Sequence, residues 1–217
     1  MSAYVERVIG ESQFRMMKAE FEGKVLAEMH PDRVRVTNIL NRVVQVTTLL
    51  KNGSKRRERA KSERAEWMKL TISYLEMMKW EVLVVEDDAA FACCLPGGKI
   101  VVFTGLFKHL TTDDEIATII CHEVAHAVMR HVYERLAMNL WHAFGRQIFY
   151  MVVRPDLDPR EVFCMLDLPF SPRMETEVHN MELMLMGFAL YDTRVAPKVF
   201  EEMDTHHYWI LNNTLRY

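Results

Sequence analysis

Two histidines four residues apart with a glutamate after the first, His122-Glu123-Val124-Ala125-His126, are the part of this 217-residue chain best suited to do chemistry. On a helix each residue turns the chain by about 100°, so His122 and His126 share a face and can aim two imidazoles at one ion while Glu123 stands beside it. Two neutral histidines and one carboxylate suit a single zinc ion and leave a fourth position for water, whose pKa the metal lowers to about 7; Glu123 is then placed to take its proton. A chain with nine histidines gives about 0.03 accidental matches to such a pattern when shuffled, and the rest of the motif's helix face, Ile116, Ile119, Ile120 and Ala127, is apolar, which turns the histidines inward. The plain alternative is a pair of helical histidines satisfied by neighbouring carbonyls.

A third ligand has to come from elsewhere. His131 follows His126 by five residues and is rotated about 140° from it. Glu175 is the best candidate, with His179 one turn later on the same face and Glu177 turned away. The residues alone leave Glu175 open between a ligand and a first-turn acid that complements the helix dipole.

The elements that must position these groups run from strands to helices. Asp32 to Val36 alternates as a short strand and passes into a helix spaced by Ile39, Leu40, Val43, Val44, Thr47 and Leu50. Lys51 to Arg59 is a polar, Gly-bearing connection, and a further helix reaches Met78. Glu81 to Val85 is a β-branched strand, and Ala90 to Leu95 and Lys99 to Thr104 flank Pro96-Gly97-Gly98 as a hairpin. Thr112-Asp113-Asp114-Glu115 is a capping box that opens a long helix expected to reach about Met138. Ser171-Pro172 opens another, to about Leu190, and Ala196-Pro197 a last one. The order predicts an α+β fold in a single domain spanning 1–217. In it, 1–50 form a strand and helix part, 51–64 a basic linker, and 65–217 a small, mostly antiparallel sheet followed by the zinc-binding helices.

Half of the residues are hydrophobic and the formal net charge is -3, so nothing calls for nucleic acid as a partner. The four cysteines form no C-x-x-C pair and indicate neither a disulfide framework nor a cysteine metal site. Met1 to Lys24 mixes acids and bases unlike a signal or transit peptide, and the apolar run Met138 to Val153, broken by His142, Arg146 and Gln147, is shorter than the roughly 20 residues of a spanning helix. The expectation is a chain with no transmembrane segment and no targeting signal of its own, for which a cytosolic location stays open.

HEVAHAVMRH, preceded by LPGGKIVVFTGLF and DDEIATII and followed by LPFSPRMETEVHNMELMLM and YDTRVAPKVFEEM, resembles the peptidase domain of the HtpX and CAAX-prenyl-protease family, over residues 10–50 and 79–204. Within it the likeness runs to the branch at the mitochondrial inner membrane that serves protein quality control. The resemblance implies a zincin-like (gluzincin) fold, one zinc ion, a polypeptide substrate and a mitochondrial, membrane-associated setting. It makes His122, His126 and Glu175 the ligands and Glu123 the general base of an endopeptidase. It also makes Gly98, Lys99, Ile100, Val101, Val102 and Phe103 the edge strand to which a substrate strand adds.

Three departures bear on activity. The family's E-x-E-A-D reads Glu175-Thr176-Glu177-Val178-His179, so His179 stands where an aspartate supports a ligand histidine; with His131 it is the candidate for the outer shell of the metal. Phe91 replaces the asparagine of the family's N-A-F. Thr205-His206-His207 only faintly resembles the family's T-H-P-S segment, and the chain stops at Tyr217. These changes sustain an alternative function, a catalytically impaired relative that binds a partner or an unfolded segment.

Overall fold

The structure is a computed structural model that describes residues 3–54, 78–129, 131 and 172–205. Two helices come first, α1 (Ala3–Glu20) and α2 (Pro31–Ser54). Three strands follow, β1 (Glu81–Val85), β2 (Ala92–Leu95) and β3 (Lys99–Phe103). After a 3-10 turn come α3 (Asp113–Val128), α4 (Pro172–Phe188) and α5 (Ala196–Thr205). The architecture is α+β.

Alternation along the strands sorts the core into two layers. Val82, Val84, Ala92, Cys94, Ile100 and Val102 point to one face and join residues of α2 to α5 in the larger cluster, while Leu83, Val85, Phe91, Val101 and Phe103 meet Phe14 and Met17 of α1 on the other. Each fully buried branched side chain is worth about 1.5–3 kcal/mol of transfer free energy. The larger layer, with Ile116, Ile119, Ile120 and Val124 of α3 in it, therefore fixes that helix firmly against the sheet.

The sheet order is β1-β3-β2, with β2 antiparallel and β1 parallel to β3. The sheet expected to be mostly antiparallel is thus mixed. The β2–β3 hairpin forms as the sequence indicates: Gly97 and Gly98 take φ of 78° and 86°, a region that side chains with a Cβ avoid. Helix α1 lies hard against this turn, since a Cβ on Gly10 would come within 1.7 Å of the Pro96 carbonyl oxygen.

Two expectations fail here. Residues 32–36 are helical, not extended: Pro31 occupies the first helical position and Asp32 the first turn, and the buried positions Val36, Ile39, Leu40 and Val43 keep helical spacing from the start. Helix α2 also continues through Ser54, so the first residues of the supposed linker extend it. The rest of that linker, the helix expected before Met78, the continuation of α3 to Met138, the apolar run 138–153, Ser171 and the segment 206–217 lie outside the described residues. Among the described residues no helix is long and apolar enough to cross a membrane.

Candidate metal centre

Helix α3 starts where the sequence places it. The Thr112 hydroxyl accepts from the Glu115 amide at 3.3 Å, and a Glu115 carboxylate oxygen accepts from the Thr112 amide at 2.9 Å, while Asp113, Asp114 and Glu115 sit at the positive end of the dipole. From Ile116 to Val128 every residue of the helix is buried, His122, Glu123 and His126 included. The two histidines meet as the one-turn spacing requires, with their Nε2 atoms 3.1 Å apart.

Helix α4 packs on α3 and brings its first turn over this pair. One Glu175 oxygen lies 3.7 Å from His122 Nε2 and the other 3.7 Å from His126 Nε2. Donors arranged tetrahedrally about 2.1 Å from an ion are about 3.4 Å from one another, so this triangle has the right size for one cation. The donor chemistry fits as well: two imidazoles and a carboxylate offer lone pairs toward a common point. The three could hold a metal ion. Burial, followed by the charges of His126 and His179, lowers the His122 pKa well below the usual histidine range, which keeps its ring neutral and able to ligate. Burial also raises the Glu175 carboxyl, against the lowering influence of His179.

The opposite nitrogen of His122 has its own carboxylate. Glu182 lies two turns beyond Glu175 on α4 and has no solvent exposure, and its Oε2 is 3.1 Å from His122 Nδ1 and 3.3 Å from His179 Nδ1. Burial pushes the Glu182 carboxyl up to about 7, opposed by the hydrogen bond and charge of His179 and reinforced by the charge of Glu175. The sequence reading set His179 directly against a ligand histidine. Its ring does approach His122, with centroids 5.3 Å apart, but its Nδ1 hydrogen bond goes to Glu182. Sequence reasoning missed Glu182. The signal was an acid at helical spacing from Glu175 and His179, set among the apolar Val178, Met181, Leu185 and Met186.

His131 is buried, its ring 5.7 Å from that of His126 and its Nε2 3.8 Å from Glu177, so it borders the cluster. Glu177 is turned from the His122–His126 pair toward His131, as two residues' rotation from Glu175 requires.

Glu123 is anchored by the sheet. Its Oε2 accepts the amide proton of Cys94 at 2.9 Å. Phe91 pairs with Phe103 through the Phe103 amide, and hydrogen-bonded pairs alternate along the hairpin, so Ala92 and Cys94 turn their peptide groups away from β3. Among the described residues the edge that faces Glu123 is therefore β2. This corrects the expectation for Gly98 to Phe103: β3 is the central strand, hydrogen-bonded on both sides, and cannot add a substrate strand. Sequence spacing identifies a hairpin without saying which of its strands β1 joins. Phe91 packs its ring edge-on against Phe103, centroids 5.3 Å apart, in the layer under α1.

Residues 54–206 match the model of peptidase family M48. The chain is 36% identical to the mitochondrial metalloendopeptidase OMA1 of Arabidopsis thaliana, an alignment that takes in 94% of this chain and 52% of that protein. It is 29% identical to the protein of the same name from Schizosaccharomyces pombe, over 92% of this chain and 52% of the relative, and 28% identical to that of Saccharomyces cerevisiae, over 94% and 55%. The chain thus spans about half the length of the curated relatives it matches. On the match over most of its length, and with a His-Glu cluster able to hold the metal that such peptidases use, the chain belongs to peptidase family M48.

Proposed function

We propose that this chain is the peptidase domain of a zinc-dependent endopeptidase that cleaves polypeptides, with His122, His126 and Glu175 as zinc ligands. The observation that carries the reading is the convergence of two Nε2 atoms and a carboxylate on one point, 3.1 to 3.7 Å from one another, with the buried Glu123 next in the chain to His122. A zinc ion held by these groups supplies Lewis acidity toward a peptide carbonyl and toward water. Glu123, aimed by the Cys94 amide, takes the proton of the attacking water and returns it to the leaving amine. The outward peptide groups of Ala92 and the Cys94 carbonyl in β2 are the edge along which a substrate strand would lie, the Cys94 N–H being held by Glu123. The names of the relatives support a mitochondrial location, and their being endopeptidases supports a polypeptide substrate.

Glu123→Gln is the direct test. It is expected to keep zinc at one ion per chain and to lower cleavage of an unfolded protein such as casein at least about 100-fold. A wild-type protein that holds zinc but cleaves no faster than the Gln variant would favour a catalytically impaired binding protein instead.

A further inference from the structure

Glu182 is a carboxylate whose helical neighbours, His179 apart, are apolar. Val178, Met181, Leu185 and Met186 around it are buried, and it is itself wholly inaccessible to solvent. A carboxylate buried without partners is strongly destabilising, so its presence among such residues points to polar partners that hold it. It has two, His122 Nδ1 at 3.1 Å and His179 Nδ1 at 3.3 Å, both on Oε2. His122 is the ring whose other nitrogen faces His126 and Glu175.

We propose that Glu182 is the positioning residue for metal ligation by His122, and that His179 braces Glu182 rather than His122. The inference rests on the zinc reading above and deepens it. A neutral imidazole has one N–H and one lone pair, and a ring that ligates through Nε2 carries its proton on Nδ1. Glu182 Oε2 then accepts that proton, which fixes both the tautomer and the rotation of the ring and makes Nε2 a better donor. Glu175 and Glu182 are seven residues apart on α4, almost two full turns, so one helix presents one carboxylate to each nitrogen of His122. His179, between them, supplies the hydrogen bond that holds Oε2 in place. A histidine at the aspartate position of the family pattern is thereby compatible with a carboxylate-supported ligand, because the carboxylate comes from three residues further along the same helix.

The groups of His122, His179 and Glu182 also lie close enough to hold an ion themselves, through His122 Nδ1. A test has to separate positioning from ligation. Zinc affinity by competition with a chromophoric chelator, zinc stoichiometry, the visible spectrum of the Co(II) form and thermal unfolding of the metal-free protein are measured for the full chain and for Glu182→Leu, Glu182→Gln, Glu175→Ala and the double variant His179→Asp/Glu182→Ala. Loss of an outer partner predicts zinc binding weakened about 10- to 100-fold in Glu182→Leu, with one ion per chain and an unchanged Co(II) coordination spectrum. Glu182→Gln, which keeps an acceptor oxygen at the same reach and serves if the Leu variant folds poorly, is expected to lose no more than about 10-fold. The double variant, which moves the carboxylate to position 179, is expected to recover the affinity that Glu182→Leu loses. Wild-type affinity in both single Glu182 variants, or a changed Co(II) spectrum in Glu182→Gln with Glu175→Ala still binding tightly, overturns the proposal. The first result leaves the zinc reading intact if Glu175→Ala loses the metal. A wild-type chain that binds no zinc removes both.

Discussion

Charged and polar groups are buried on both faces of the sheet, by opposite means. Under α1, Lys99 is only 2% exposed, and its ammonium is 2.9 Å from Glu81, which also receives Lys18 at 2.8 Å, with the Phe14 ring 4.4 Å from Lys18 and 5.4 Å from Lys99. Cations and carboxylate of the chain itself close that cluster, and the aromatic face adds to it. On the other face His122, His126, Glu175 and Glu182 gather imidazoles and carboxylates, groups that offer electron pairs to a cation from outside. The first arrangement is a structural way to bury charge and the second is a binding site. The contrast shows why the composition of a buried cluster says more about its purpose than its burial does.

The largest effect expected comes from removing a donor on the site face. Glu175→Ala should weaken zinc binding beyond the roughly 100-fold limit set by outer partners, with little change in the unfolding of the metal-free protein, since Glu175 is a third exposed. Zinc titration followed by thermal unfolding measures both, and an affinity within tenfold of wild type would remove Glu175 from the ligand set.

Lys99→Met is the corresponding break on the other face. It keeps the buried stem but withdraws one of the two ammoniums from Glu81, so a loss of about 1–3 kcal/mol of stability is expected, with zinc affinity unchanged. Urea unfolding read beside zinc titration tests the pair. Zinc binding weakened as much as by Glu175→Ala would mean that the two faces are not independent.

The smallest effect is a pH dependence. Burial raises the Glu81 carboxyl, but the hydrogen bonds and charges of Lys18 and Lys99 outweigh it and carry the pKa down from 4.5 to about 2. A folded pKa below the unfolded one gives stability that is present above pH 4.5 and lost as pH falls from there toward 2. Unfolding of wild type and Glu81→Gln compared at pH 6 and pH 3 should show the wild-type advantage shrinking at the lower pH. An advantage independent of pH would show that the ion pairs do not set the Glu81 titration.

Features that depend on neighbours a turn or two away are legible along the chain. The capping box at Thr112, the shared face of His122 and His126, the Gly97-Gly98 turn and the helix opened at Ala196 follow from spacings of two to four residues, and all are present in the structure. Pro31 was a local signal too, and it outweighs the alternation of Asp32 to Val36 because a fixed φ at the first helical position and a continued helical period agree with each other. The remainder comes from packing between elements distant in the chain. Which hairpin strand lies at the edge depends on where β1 finds its partner, and β1 pairs with β3, Glu81 opposite Lys99, so the peptide groups facing Glu123 belong to β2. The face of α4 that carries Glu175 also carries Glu182, but only the packing of α4 on α3 sets one at the Nε2 atoms and the other at His122 Nδ1. A side chain's role at a shared site is fixed by which atom it meets across two elements, and hydrogen-bond partners brought together from sixty residues apart leave no period along the chain to be read.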